Sequence, residues 1–498
     1  MKKMNLLVMS LVSAAALSFS SCSNNDDLGG GAGTQSQADG VYMTLKISGA
    51  TSHGTRTGVT DGKTTTDNGS VAESTITEGM MYIYDGPTCV FRKVITKDMF
   101  ETAPTQTTSG VTKPIKVAVT GAITTGKKYD VYFLANRTNV DNPIAATSIF
   151  TSTTGGADFA TDNKFVMFNQ NDGTKAAAHS KVEFTDAAKS EKSPAAADEI
   201  KLDRVVARID RPSFAETVTT VTPATDTKTS INVADVVAGI SYEGFAVSNL
   251  NNNSYVMQNW DTNFKTLSVK WGEPKYSLPK STYGTLYNAE GLANFDTKEK
   301  PVSWKYAFEN TTTDVNDATA VYFKVKVALT ETAMAASDFK DGTFYRYDGR
   351  LYTSIKAIFD NAATGEISNP FTETNSITPA DVVAKISDAD GKLTTDEAKL
   401  AKFRQDYKIE VYRQGTMYYR WAISDNAYKP FVASETTHTY SVLRNSIYRL
   451  NVTKVSEIGK DVPNGPEPDD PIKNPNFYMN VTVSINPWVL NAQPIELK

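Results

Sequence analysis

Apolar and polar residues alternate in short runs along most of this chain, and two of those runs are nearly copies. Near the start stands Val41-Tyr42-Met43-Thr44-Leu45-Lys46-Ile47-Ser48, and near the end Phe477-Tyr478-Met479-Asn480-Val481-Thr482-Val483-Ser484. They align without a gap. Successive strand side chains point to opposite faces, so Met43, Leu45 and Ile47 share a face, as do Met479, Val481 and Val483. Two segments with one pattern can fill one slot in a sheet. Residues 49–58, a loose Gly/Ser/Thr-rich stretch containing Arg56, follow the first copy. A chain cut there would lose its first copy, and a neighbour's second copy could replace it. Chance similarity between two alternating strands is the plain alternative.

Further alternating runs predict strands at 80–84, 88–91, 115–119, 129–134, 181–184, 204–209, 240–250, 322–329, 408–412, 417–423 and 447–455. Each is bounded by turn-forming residues, and many short strands of this kind suggest β-sandwiches. One stretch, 395–407, reads as a helix. Thr395 is placed to cap it, and Ala398, Leu400, Ala401 and Phe403 give it an apolar side. Pro212 cannot donate to a ladder, so Asp210-Arg211-Pro212 marks a junction between two units. Prolines at 463, 466, 468, 471 and 475 make 456–475 a semi-extended arm that carries residues 476–498 away from the second unit. That tail has two strand-like halves hinged at Asn486-Pro487.

Composition narrows the class. A chain of 498 residues exceeds one ordinary core, and 40% hydrophobic residues can fill two. Tyr, Phe, Thr and Val favour sheets. A net charge of −5 leaves no electrostatic footprint for nucleic acid.

Lys2, Lys3 and the apolar run 5–19 form an export signal, too short to span a bilayer. It ends in Phe19-Ser20-Ser21-Cys22, which resembles a lipobox with Cys22 as the acylated residue, although Phe19 and Ser21 depart from the usual pattern. A plain secretory peptide cut near Ser21 is the other reading. The polar, acidic Asn24-Asn25-Asp26-Asp27 after Cys22 resembles a surface-export signal of Bacteroidetes lipoproteins, and 23–40 reads as a tether. Acylation would be the membrane attachment. Only two cysteines occur. With Cys22 acylated, Cys89 has no intrachain partner and reads as a small buried apolar residue.

Catalytic patterns are thin. His53, His179 and His438 lack zinc-ligand spacing. No nucleophile elbow or phosphate loop occurs, and Ser337-Asp338-Phe339-Lys340 lacks the companion motifs of a Ser-x-x-Lys enzyme. Residues 388–397 resemble part of an EF-hand loop, but Ile386 stands at the first ligand position. A turn leading into a capped helix explains the same residues. No enzyme, cofactor or metal site is expected.

Several segments together resemble the fimbrillins of Bacteroidales, in particular the major-subunit branch of the short fimbriae. They are Arg204-Val205-Val206-Ala207-Arg208, the run 415–421, the run 444–450, the Pro/Asp-rich arm, and Tyr478-Met479 through Asn486-Pro487-Trp488. Thr55-Arg56-Thr57-Gly58 matches the family's processing position in spacing; Lys63 is a second basic site, and a solvated loop arginine is the alternative. The resemblance implies an all-β fold of two transthyretin-like β-sandwich domains in tandem with an extended C-terminal donor arm. It divides the chain into a lipoprotein signal peptide (1–21), an acylated propeptide with the first strand (22–56), two sandwiches (57–211 and 212–455), a linker (456–475) and a donor segment (476–498).

It further implies a shaft subunit of a surface fimbria that supports adhesion. A protease would cut between Arg56 and Thr57 and remove Met43, Leu45 and Ile47; Tyr478, Met479, Val481, Val483 and Ile485 of the next copy would fill the slot. Expected partners are further copies of the chain, anchor and tip subunits, the protease, and the outer membrane through the lipid before cleavage. The mature protein would lie in the extracellular fimbria. A non-polymerising surface lipoprotein acting as anchor, tip adhesin or glycan-binding protein is the competing expectation.

Overall fold

The alternating runs do form sheets, with few helices among them. In this computed structural model the described residues are 40–49, 69–70, 72–101, 115–145, 147–171, 180–214, 233–259, 296, 302–312, 315, 317–372, 376–423, 440–455, 458–462 and 479–487. No helix among them is long and apolar enough to cross a membrane.

Two sheets enclose the first buried cluster. In one, the strand Val41–Leu45 lies between Ile115–Val119, antiparallel, and Ala195–Ala196, parallel. The other runs Ile47–Gly49, Ile200–Arg204, Met167–Asn169, Lys128–Ala135, Gly79–Asp85, Thr88–Ile95, with Ser180–Glu183 pairing Lys128–Ala135. Both contribute side chains to one core that includes Met43, Leu45, Ile47, Val117, Phe133 and Leu202.

The expected strand 204–209 is broken. Ile200–Arg204 and Ala207–Asp210 belong to different sheets. Val205 and Val206 pack into the first core, whereas Ala207 and Ile209 pack into the second. A straight strand could not serve two cores, so the chain bends between them.

The second core lies under two further sheets. One has the order Ser213–Phe214, Ser446–Val455, Ala207–Asp210, Trp304–Ala307. The other has Ala320–Leu329 between Val237–Ser248 and Thr416–Ala422. Gly415, at φ 76°, opens the last strand because a Cβ there would collide with the Val327 carbonyl oxygen.

Between two paired strands of that sheet the chain inserts a third buried cluster that the hydrophobic pattern did not disclose. Helices Ile355–Ala363, Pro379–Lys385 and Glu397–Tyr407 pack with the small sheet Arg350–Tyr352, Phe344–Tyr347 and Glu410–Tyr412. Their starts are written locally. The Ser354 hydroxyl accepts from Ala357 N–H, and Thr378 with Asp381 forms a capping box ahead of Pro379. The third helix begins two residues later than expected. Its cap is Asp396 rather than Thr395, because the Asp396 carboxylate accepts from both Ala398 and Lys399 N–H. Lys408 closes it in the left-handed region at φ 57°.

The expected free arm starts as a docked segment. Ile458 and Val462 are buried, Lys460 exchanges backbone hydrogen bonds with Tyr418, and Asp461 pairs with buried Arg404. Two apolar side chains and a counter-charge hold these residues down despite the turn-rich sequence that follows. The tail strand Met479–Pro487 is likewise not carried away: it lies antiparallel along Ser446–Val455 of its own chain.

Candidate strand-exchange site

The first of the two similar strands is held on every side. Met43, Leu45 and Ile47 are each 0% exposed. Met43 stands opposite Val117 and Leu45 opposite Ile115, so buried residues face buried residues across the ladder. On the other flank Ala197 N–H donates to Thr44 O at 3.1 Å and Ile200 N–H to Lys46 O at 2.8 Å. At Lys46 the segment leaves one sheet and enters the other. Ile47–Gly49 then forms the edge of the seven-stranded sheet, parallel to Ile200–Leu202. At roughly 1.5–3 kcal/mol per buried apolar side chain, the three residues contribute several kcal/mol. Without this segment, one sheet would lose a central strand and the other an edge strand.

The second strand has a different environment. Met479–Pro487 pairs on one side, with Ser446–Val455. The register places Val481 opposite Val452, Val483 opposite Leu450 and Ile485 opposite Tyr448, all three partners buried. Asn480 and Thr482 stand opposite Lys454 and Asn451, with a bulge between Val452 and Lys454. The expected alternation therefore matches the face pattern of its partner strand. The ladder runs through Asn486 to Pro487, where a hinge was expected. Cys22, Arg56, Thr57 and Tyr478 lie outside the described residues, as do the three histidines.

Sequence reasoning missed a buried polar junction between the first and second cores. Arg204 is fully buried. It donates to Glu73 O, Ser74 Oγ and Asn445 Oδ1 at 2.8, 3.0 and 3.1 Å. Burial pulls its guanidinium down to about 9, partly opposed by Glu73 and Asp203, so it remains charged at neutral pH. Arg208 donates to both Glu73 carboxylate oxygens, and Tyr306 Oη donates to one of them. Arg444 pairs with Glu309 at 2.7 Å and donates to the carbonyls of Val256 and Tyr255. Asn445, at φ 55°, donates to Asp203. The signal was present: Arg204, Arg208 and Arg444 each interrupt an otherwise apolar or strand-like run. Buried charges of this kind require partners.

The remaining candidates have structural duties. Asp388 Oδ1 accepts from Asp390 and Lys392 N–H, Asp396 caps a helix, and Glu397 pairs with Arg413. This is the turn and capped helix. Among the described residues no group of three or more His, Cys, Asp or Glu is placed to hold a metal ion. Ser337 Oγ donates to Thr343 O and accepts from Lys340 N–H, which makes it a turn residue. Cys89 is half-buried on the edge strand, a little more open than expected, and its thiol points to Phe91 O.

Residues 410–494 match the family model described as major fimbrial subunit protein type IV, fimbrillin, C-terminal. Over these residues the chain is similar to the C-terminal region of fimbrillins. The matched region contains Thr416–Ala422, Ser446–Val455 and the tail strand Met479–Pro487, so tail and partner strand fall within the same match. No curated protein matches the chain.

Solved structures similar to it include a fimbrilin (FimA) from Porphyromonas gingivalis W83, with 16% identity over 91% of this chain and 99% of that one and a TM-score of 0.38. The tip fimbrial protein Mfa3 from Porphyromonas gingivalis, with C-terminal truncation, shares 10% identity over 90% of this chain and 100% of that one, at a TM-score of 0.31. A fimbrial assembly protein from Parabacteroides distasonis ATCC 8503 shares 14% identity over 59% and 82%, at 0.27. These scores are low, and the fimbrillin likeness stands on the C-terminal match. That match supports a fimbrial protein of the cell surface.

Proposed function

We propose that this chain is a shaft subunit of a bacterial surface fimbria, built by strand exchange and supporting adhesion. It is exported as a lipoprotein acylated at Cys22 and activated by proteolysis between Arg56 and Thr57. Its two sandwich domains, 57–211 and 212–455, then polymerise head to tail, with anchor and tip subunits at the ends. The observation that carries this reading is the complete burial of Met43, Leu45 and Ile47 in a segment whose pattern recurs, without a gap, in the tail. Loss of that segment would leave unpaired ladders and an open apolar slot, and such edges invite strand addition. Pairing one end of a copy with the other end of the next is heterologous and extends into a filament. While the first strand is in place, the slot is full and assembly cannot begin.

Limited trypsin treatment of the purified precursor tests it. The expected result is an SDS-resistant ladder whose subunits begin at Thr57; monomers that stay monomers after cleavage at Arg56 overturn it. One observation favours the alternative of a non-polymerising surface lipoprotein: the tail pairs with its own chain. Surface protein that keeps Cys22 as its N-terminus would decide for that alternative.

A further inference from the structure

The slot for an incoming strand is shared between two sheets, and this fixes how any replacement must lie. The resident segment runs between Ile115–Val119 and Ala195–Ala196 up to Leu45, passes Lys46, and continues as the edge beside Ile200–Leu202. We infer that one strand from a second copy closes both sheets in a single register, crossing between them at Thr482. This rests on the strand-exchange reading and adds to it the path, the register and the residue at the crossing.

The gapless alignment places Met479 at Met43, Val481 at Leu45, Thr482 at Lys46, Val483 at Ile47 and Ile485 at Gly49. Met479 then stands opposite Val117 and Val481 opposite Ile115 in the first sheet. Val483 stands beside Ile200 and Ile485 beside Leu202 in the second. The hydrogen bonds from Ala197 and Ile200 use the carbonyls of Thr44 and Lys46. Backbone at Asn480 and Thr482 supplies the same acceptors whatever the side chain. A one-residue slip would turn every apolar side chain to the wrong face. A two-residue slip keeps the faces but moves the crossing. Slipped one way it brings Phe477 into the space of Met43; slipped the other it brings Pro487, which has no N–H, to the end beside Leu202. In the proposed register no proline falls within the segment and each of the three apolar slots receives Met or Val.

The same four residues Met479, Val481, Val483 and Ile485 are those whose register positions match the buried face of Ser446–Val455 within the chain. The strand therefore cannot occupy both places at once, and donation frees the Ser446–Val455 edge along which it lies on the donor.

Cysteine pairs in a Cys89→Ala background test the register, using the full chain cut with trypsin and then oxidised. Val483→Cys with Ile200→Cys should give a covalent ladder under non-reducing denaturation. Met479→Cys with Val117→Cys should give one too, reporting the other sheet. Val481→Cys with Ile200→Cys and Ile485→Cys with Ile200→Cys should give none. A ladder from either of these last pairs overturns the register. Cross-linking through Val117 without cross-linking through Ile200 overturns closure of both sheets by one strand. If Ile200→Cys does not fold, Leu202→Cys with Ile485→Cys reports the same sheet two residues further along. Failure of the Cys89→Ala parent to polymerise would instead overturn strand exchange itself, which separates the two claims.

Discussion

The two ends of this chain carry nearly the same strand, and the fold treats them differently. Val41–Gly49 is paired on both flanks in one sheet and seated at the edge of another, with its apolar side chains fully buried. Met479–Pro487 lies along a single strand, Ser446–Val455. The alternating pattern settles that each is a strand and which residues share a face. It does not settle the number of partners, because hydrogen-bonding edges are the same for every sequence. A strand with one partner is easier to release than one with partners on both flanks. That asymmetry is what a removable plug and a transferable donor require.

The comparison breaks first at the tail. Val481→Asp with Val483→Asp should abolish polymers, since each unpaired carboxylate placed in an apolar slot costs several kcal/mol. Deleting 477–498 should do the same while leaving a folded subunit, as judged by circular dichroism and size. Polymers formed without the tail would remove its role as donor.

A smaller change sharpens the first end. Leu45→Ala should lower the unfolding free energy of the precursor by about 2–5 kcal/mol in urea titrations. After processing, the variant and the parent should have equal stability, because the altered strand is gone. A persistent difference would show that the strand stays with the mature subunit.

Smaller still, Thr378→Ala removes the capping box of the inserted helical cluster and should cost about 1 kcal/mol. It should leave the yield of SDS-resistant polymer unchanged, since that cluster lies apart from both strands. Least of all, Asn480→Ser with Thr482→Ser should shift stability by no more than ~0.5 kcal/mol and leave polymer yield unchanged. Equal damage from this pair and from the Val481 and Val483 carboxylates would contradict the assigned faces.

The inserted cluster and the junction differ in how far they were legible. Ser354 and Thr378-Pro379 are ordinary helix-start signals, yet the helices they begin span only 9 and 7 residues, too short for a helical period to stand out among alternating runs. The shift of the last cap from Thr395 to Asp396 turned on which side chain meets two N–H groups, which only the folded geometry decides. Arg204, Arg208 and Arg444 were visible as charges inside apolar runs, but their partners Glu73, Asn445 and Glu309 lie more than a hundred positions away along the chain.

By itself the sequence determined that this protein is built of half-buried strands, that residues 43, 45 and 47 form one apolar face, and that its tail repeats that face. These are local consequences of a two-residue period. Only the tertiary structure decided that the first strand spans two sheets at Lys46, that Arg204 to Ala207 bends from one core into another, and that the tail rests on Ser446–Val455. Those outcomes depend on which distant edges and buried charges find one another, and local alternation carries no information about that choice.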